Sequence, residues 1–315
     1  MAIVTDSPPT AGSPHRSKNP ILIVKDLILD TFSEWSRDNA SRLAAALSYY
    51  TIFSVAPLLI IAIAVAGLVF GRQAATDQIV YQIRGLVGND GAQVIQTILQ
   101  NASKTTSGIL ATVVGLVTLL VGASGAFGQL QDSLNIIWEV KPKAGRGVKG
   151  VLRDRFLSFS MVLVIGFLLM VSLLLSAFLA GVGKYVSDLL PMSSLVLQAI
   201  NFGISLIVTT VLFALIFKVL PDAYVRWRDV WVGSCVTALL FSLGRFLIGL
   251  YLGRSSVSSA YGAAGSLVVL LLWVYYSAQI LFLGAEFTQV YANRFGKAIV
   301  PKPNAEALYP NGRGA

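Results

Sequence analysis

Apolar positions gather into six long runs, at about 47–70, 107–130, 156–180, 196–219, 230–252 and 263–291. Each exceeds the ~20 residues that a helix needs to cross a ~30 Å hydrocarbon layer. Arg245 interrupts the fifth, at a cost of about 2.5–3.5 kcal/mol that its many Leu, Ile, Val and Phe residues offset. The sixth is long enough to tilt or to reach past the membrane surface. Ahead of the first run, Ile21, Val24, Ile28, Phe32 and Trp35 recur at helical spacing, with Lys25, Asp26, Asp30, Glu34 and Arg37 elsewhere on the helix. The segment 21–39 is too short and too charged to span. Its pattern suits a helix lying along the cytoplasmic interface, and equally one packed under the bundle.

Between the first and second runs, Ile79, Ile83 and Leu86 form one stripe, and Val94, Ile95, Ile98 and Leu99 another. Gly88 and Gly91, flanking Asn89 and Asp90, mark a turn between them. The expected element is a short amphipathic hairpin over the outer face, capping a cavity or simply packing there. The fold class expected from these patterns is all-α: a polytopic six-transmembrane-helix bundle with an N-terminal amphipathic interfacial helix and an extracytoplasmic helical hairpin. Residues 1–20 and 297–315 read as disordered cytoplasmic tails around a membrane domain at 21–296. Residues 1–19, with Pro8, Pro9 and Pro14, lack the apolar core of a cleavable signal.

Composition agrees with the pattern. Charged residues make up 12% of the chain and hydrophobic ones 55%, against about 25% charged in a soluble domain. Too few charges are present to cover a water-facing surface. The net charge of +9 is explained by topology rather than by nucleic acid, which is not an expected partner. Of the 24 Lys and Arg residues, 18 fall in segments that are cytoplasmic if the N-terminus is inside, and five fall in outside segments. That asymmetry predicts both termini in the cytoplasm of a bacterial inner-membrane protein. Membrane lipids are then the expected surroundings.

Catalytic chemistry is sparse. The single histidine, His15, lies in the N-terminal tail, and the single cysteine, Cys235, lies inside an apolar run. No metal-ligand spacing, Walker motif or Ser–His pairing is present, so no cofactor and no catalytic residue is expected. A Ser–Lys pair is not formally excluded, although Lys184 and Lys218 lie near helix ends where interfacial anchoring is the simpler role.

Polar groups at membrane depth carry more information. Gln279, Glu286, Gln289 and Asn293 share one face of the sixth run with Tyr275. Such a stripe faces other helices or water rather than lipid. Glu286 is therefore either a functional carboxylate or one that knits helices together. Arg245 is separated from it in depth by roughly 13 Å, which predicts two polar layers rather than one ion pair. Tyr275, Tyr276 and Gln279 stand near Arg245; Tyr49, Tyr50, Ser54 and Gln129 stand near Glu286. Small residues at four-residue spacing, such as Ser124 with Gly128 and Ser234 with Ala238, mark close helix packing. Gly122 to Gly128 either packs closely or breaks the second helix, and Pro57 is expected to kink the first.

Several segments resemble one family. Ser41 to Leu58 (SRLAAALSYYTIFSVAPL), Phe127 to Trp138 (FGQLQDSLNIIW), Leu220-Pro221-Asp222, Ser259 to Ser266 (SAYGAAGS) and Tyr275 to Phe287 occur in order. Together they resemble the YihY/BrkB family of bacterial membrane proteins over about 25–296. The resemblance implies a six-helix inner-membrane protein without a settled activity. The ribonuclease BN label carried by some members fits poorly with a chain that has no cluster of metal-binding carboxylates. The expected function is transport or translocation of a small or amphipathic substrate, lipid-like ones included. Glu286, Gln279, Arg245, Tyr49, Tyr50, Gln129 and Tyr275 are its cavity candidates. The alternatives are a non-transporting scaffold for envelope processes or an intramembrane enzyme.

Overall fold

The computed structural model describes residues 20–77, 79–81, 84, 92, 95–97, 125–143, 194–254, 265–297 and 299–309. In chain order these form α1 (Pro20–Arg37), α2 (Ala40–Phe70), a helical segment at 125–137, β1 (Val140–Pro142), α3 (Ser194–Val219), β2 (Ala223–Tyr224), α4 (Trp227–Arg254), α5 (Gly265–Phe295), β3 (Val300–Pro301) and β4 (Ala305–Ala307). The fold is helical, with two short antiparallel ribbons that pair β1 with β4 and β2 with β3.

Among the described residues three helices are long and apolar enough to cross a membrane: Phe202–Val219, Trp227–Ile248 and Leu267–Phe295. This corrects the expectation of six. The three correspond to the fourth, fifth and sixth apolar runs. The run at 156–180 and most of the run at 107–130 lie outside the described residues, and the end of the latter, 125–130, leads into a helix with a polar buried side. The run at 47–70 is part of α2, where the side chains at 55–58, 61–62, 64–66 and 68–70 also lie outside the description. An apolar run permits a spanning helix, but it does not establish one.

α5 is the central element, packing against α4, α2 and α1, while α3 packs against α4. The α4–α5 crossing is built from two reciprocal notches. A Cβ on Gly233 would overlap Thr288 Oγ1, and a Cβ on Gly284 would overlap Thr237 Oγ1 and lie 2.7 Å from its Cγ2. Each threonine hydroxyl donates to a carbonyl one turn back on its own helix, Thr237 to Gly233 and Thr288 to Gly284, both at 2.7 Å. The hydroxyls are thereby satisfied within the helices, and each threonine side chain, its hydroxyl oxygen foremost, fills the space left by the facing glycine. The main core joins Leu47 of α2, Leu134 and Trp138, Phe217 of α3, Val230 of α4 and Phe282 of α5.

α1 and α2 meet at Asn39, whose φ of 54° is left-handed, a conformation that asparagine tolerates better than most residues. α1 buries Leu27 and Thr31, while Ile21, Val24, Ile28 and Phe32 of the predicted stripe are exposed. Arg294 of α5 reaches Asp26 at 3.1 Å and Asp30 at 3.5 Å. The helix thus packs against the bundle with one face and presents the apolar stripe outward.

Of the hairpin expected between the first and second runs, Val80 and Ile95 pack together with Ile63 of α2 and Leu270 of α5. Most of its remaining residues, like those of the tail at 1–19, lie outside the description. At the other end of the chain the expected tail is not structureless. Val300–Pro301 and Ala305–Ala307 form β3 and β4. Backbone pairing with two distant loops gives these residues the partners that local sequence cannot supply.

Candidate functional site

The polar face of α5 runs inward. Glu286 is fully buried and Gln289 is 4% exposed. Gln279 and Tyr275 are half-buried, and Gln279 Oε1 is a buried acceptor without a hydrogen bond among the described residues. Tyr275 packs on the main core. Asn293, at the end of the stripe, is exposed.

α2 runs antiparallel to α5. Leu47 shares the main core with Phe282 and Ala285, and Ile63 meets Leu270 in the second core. Tyr49 lies nine residues into α2 and Glu286 nine residues before the end of α5, so both stand about 14 Å from that end of the bundle. Tyr49 and Tyr50 are exposed there, with rings edge-to-face at 5.7 Å, and the Phe53 ring meets Tyr49 at a tilt, 4.9 Å between centroids. The 125–137 helix crosses α2 beside them. A Cβ on Gly125 would lie 3.4 Å from Tyr50 Cδ1, and the Ala126 amide donates to Ser54 Oγ at 3.3 Å. Glycine lets the two helices approach closely at this point. Gln129 donates to Ser133 Oγ of its own helix at 3.2 Å.

Arg245 stands apart from this group. Its neighbour Gly244 abuts Tyr276 and Ile280, which sets it six to ten residues, or about 9–15 Å, from Glu286 along α5. Arg245 is exposed, forms no ion pair among the described residues, and is flanked by exposed Leu243, Phe246 and Leu247.

Sequence reasoning missed a second polar assembly, centred on Asp222 in the turn between α3 and α4. Asp222 is 4% exposed. Its Oδ2 accepts from Asn135 Nδ2 at 3.2 Å and Gln131 Nε2 at 3.4 Å. Its Oδ1 accepts from Asn304 Nδ2 at 3.1 Å, and its amide donates to Asn135 Oδ1 at 2.7 Å. Lys302 donates its backbone N–H to the Asp222 carbonyl at 2.8 Å. The Lys302 ammonium donates to the carbonyls of Pro221 at 2.6 Å and Val219 at 3.2 Å, capping the C-terminal end of α3 with a positive charge. These donors satisfy both oxygens of a carboxylate that is almost wholly buried. The available signal was the i, i+4 spacing of Gln131 and Asn135 within the family-like 127–138 segment, beside the Leu220-Pro221-Asp222 motif.

Several long apolar helices, with a carboxyl group and amides buried along one of them, define a multi-pass membrane protein. The Virulence factor BrkB family profile matches residues 31–308, and the chain belongs to that family. The match runs past 296 and includes β3 and β4, so the last ordered strands are part of the family's extent.

Among curated relatives, the chain is 28% identical over 274 residues to a UPF0761 membrane protein of Alkalilimnicola ehrlichii, covering 86% of this chain and 59% of that protein. It is 30% identical to a UPF0761 membrane protein of Pseudomonas paraeruginosa, covering 79% and 58%. It is 23% identical to YfkH of Bacillus subtilis, which carries a provisional ribonuclease-like name, covering 84% and 94%. The chain spans less than two thirds of the UPF0761 relatives from Alkalilimnicola, Ralstonia and Teredinibacter, at 59%, 54% and 63% of their lengths. No solved structure matches it.

Proposed function

We propose that this protein translocates a small or amphipathic, lipid-like substrate across the bacterial inner membrane, with both termini in the cytoplasm. The observation that carries the reading is Glu286, a carboxylate with no exposed surface in a spanning helix. An ionisable group at that depth is costly and is characteristic of substrate and proton pathways. Gln289 and Gln279 extend the polar face along the helix, and the 18-to-5 distribution of Lys and Arg supports the orientation. Glu286 is the proton- or cation-responsive group in this reading, with Tyr49, Tyr50, Gln129, Gln279 and Tyr275 along the route. Arg245 attracts anionic headgroups at the other level.

The test is movement of labelled lipids in proteoliposomes. Glu286→Gln is expected to reduce transport at an unchanged yield of folded protein. Transport at the wild-type rate by that variant rejects the role.

A second reading, a non-transporting scaffold for envelope processes, is favoured by the interlocked Gly233–Thr288 and Gly284–Thr237 notches, which make α4 and α5 one rigid pair. Absence of transport for every lipid and amphiphile tried, with the fold intact, selects it. Both readings assign no catalysis to the chain. Cleavage of RNA by the purified protein, abolished by one point change, overturns that assignment.

A further inference from the structure

Among the described residues, the exposed surface where α4 begins carries cations and aromatic rings but no exposed acid. The two acidic residues of this stretch, Asp222 and Asp229, are 4% and 3% exposed. Arg226 and Arg228 are exposed, and neither side chain has an ion pair or hydrogen bond among the described residues. Trp227 and Trp231 lie one helical turn apart, 48% and 44% exposed, with rings 6.5 Å apart. Lys218 Nζ sits 5.5 Å over the Trp227 ring and donates to the Val225 carbonyl, which fixes a third positive charge against the indole. Tryptophan, with an apolar body and one N–H donor, favours the headgroup level of a bilayer.

Position along the helix adds a second observation. Arg245 lies 18 residues beyond Trp227, five full turns at 3.6 residues per turn, and so shares its face about 27 Å away. That distance is close to the ~30 Å thickness of the hydrocarbon layer. Leu239 and Leu243 are exposed between the two levels. α4 thus carries exposed cationic groups near both ends of its apolar stretch, with these two leucines exposed on an adjoining face between them.

We infer that the Arg226–Trp227–Arg228–Trp231 surface binds the headgroups of anionic phospholipids in the leaflet it meets. The guanidinium groups donate to phosphate oxygens, and the indoles lie against the glycerol and upper acyl segments below. The inference rests on α4 crossing the bilayer and is independent of transport, because a lipid held at this surface need not be moved.

The experiment uses the full chain reconstituted in phosphatidylcholine bilayers. A small, equal fraction of brominated phosphatidylglycerol or brominated phosphatidylcholine is added, and quenching of tryptophan fluorescence is read. Brominated phosphatidylglycerol is expected to quench more strongly, with a preference of about fivefold per arginine. The preference disappears in Arg226→Gln/Arg228→Gln, persists in Arg226→Lys/Arg228→Lys, and loses its signal in Trp227→Phe/Trp231→Phe. Equal quenching by the two lipids in the wild type overturns the inference, as does an unchanged preference in the double glutamine variant. Complete protection of Trp227 and Trp231 from both lipids, the result expected if a protein covered this face, also overturns it.

Discussion

Asn135 and Asp222, 87 residues apart in the chain, grip each other twice: the Asn135 amide donates to the Asp222 carboxylate at 3.2 Å, and the Asp222 backbone N–H donates to the Asn135 carbonyl at 2.7 Å. Both side chains are buried. The pair fastens the 125–137 helix to the α3–α4 turn. Asn304 and Lys302 bring the C-terminal ribbon to the same turn. One carboxylate therefore joins three segments that are distant in sequence.

Asn135→Ala leaves the Asp222 amide without this acceptor and its carboxylate short of a donor. Hydrogen bonds to a charged group are worth about 1.5–3 kcal/mol, and a group left buried and unsatisfied adds to the loss. A loss of about 3 kcal/mol is expected, read as a fall in the thermal midpoint of the detergent-solubilised protein. A midpoint within experimental error of wild type would show that the pair is not structural.

Gly284→Ala places a methyl group on top of the Thr237 side chain. Overpacking of this kind costs typically 1–3 kcal/mol, so the variant is expected to lose stability or to splay α4 from α5. Thr237→Gly reopens the space, and the double variant is expected to be more stable than the sum of the single changes implies. A thermal-denaturation cycle measures that coupling.

Lys302→Ala removes the donor from the carbonyls of Val219 and Pro221. Because Lys302 is partly exposed, water replaces some of what is lost, and a decrease of about 1 kcal/mol is expected. The accompanying sign is faster hydrogen exchange at 300–307, where the ribbon loosens first. Unchanged exchange there, with stability also unchanged, would show that the ammonium does not hold the ribbon.

Arg294 ties α5 to α1 through Asp26 and Asp30, whose side chains are 43% and 58% exposed. Exposure and salt weaken such pairs to about 0.2–1 kcal/mol each. A double-mutant cycle of Arg294→Gln with Asp26→Asn is expected to give a coupling within that range, and one that shrinks as ionic strength rises. A coupling insensitive to salt would mean that the contact is packing rather than charge.

The sequence by itself determined where α3, α4 and α5 lie. In lipid a backbone must satisfy its own hydrogen bonds, so a long apolar run has little alternative to a helix. The same periodicity placed Glu286 and Gln289 on one inward face of α5, since a face is set by 3.6-residue spacing alone. It separated Arg245 from Glu286 as well, because rise per residue fixes depth.

Tertiary structure decided the rest. Sequence spacing allowed six spanning helices, while the described residues contain three. Arg245, Tyr49 and Tyr50 were legible as polar groups at membrane depth. Only packing turned them outward, since no periodicity says which side of a helix a neighbour will cover. In α1 the neighbour took Leu27 and Thr31 and left Ile21, Val24, Ile28 and Phe32 exposed. The 300–307 ribbons and the Asp222 assembly were invisible for a related reason. The Asp222 side chain accepts from residues 82 to 91 positions away, the ribbons pair Ala223 with Pro301 and Val140 with Ala307, and contacts closed across such loops leave no local pattern in the chain.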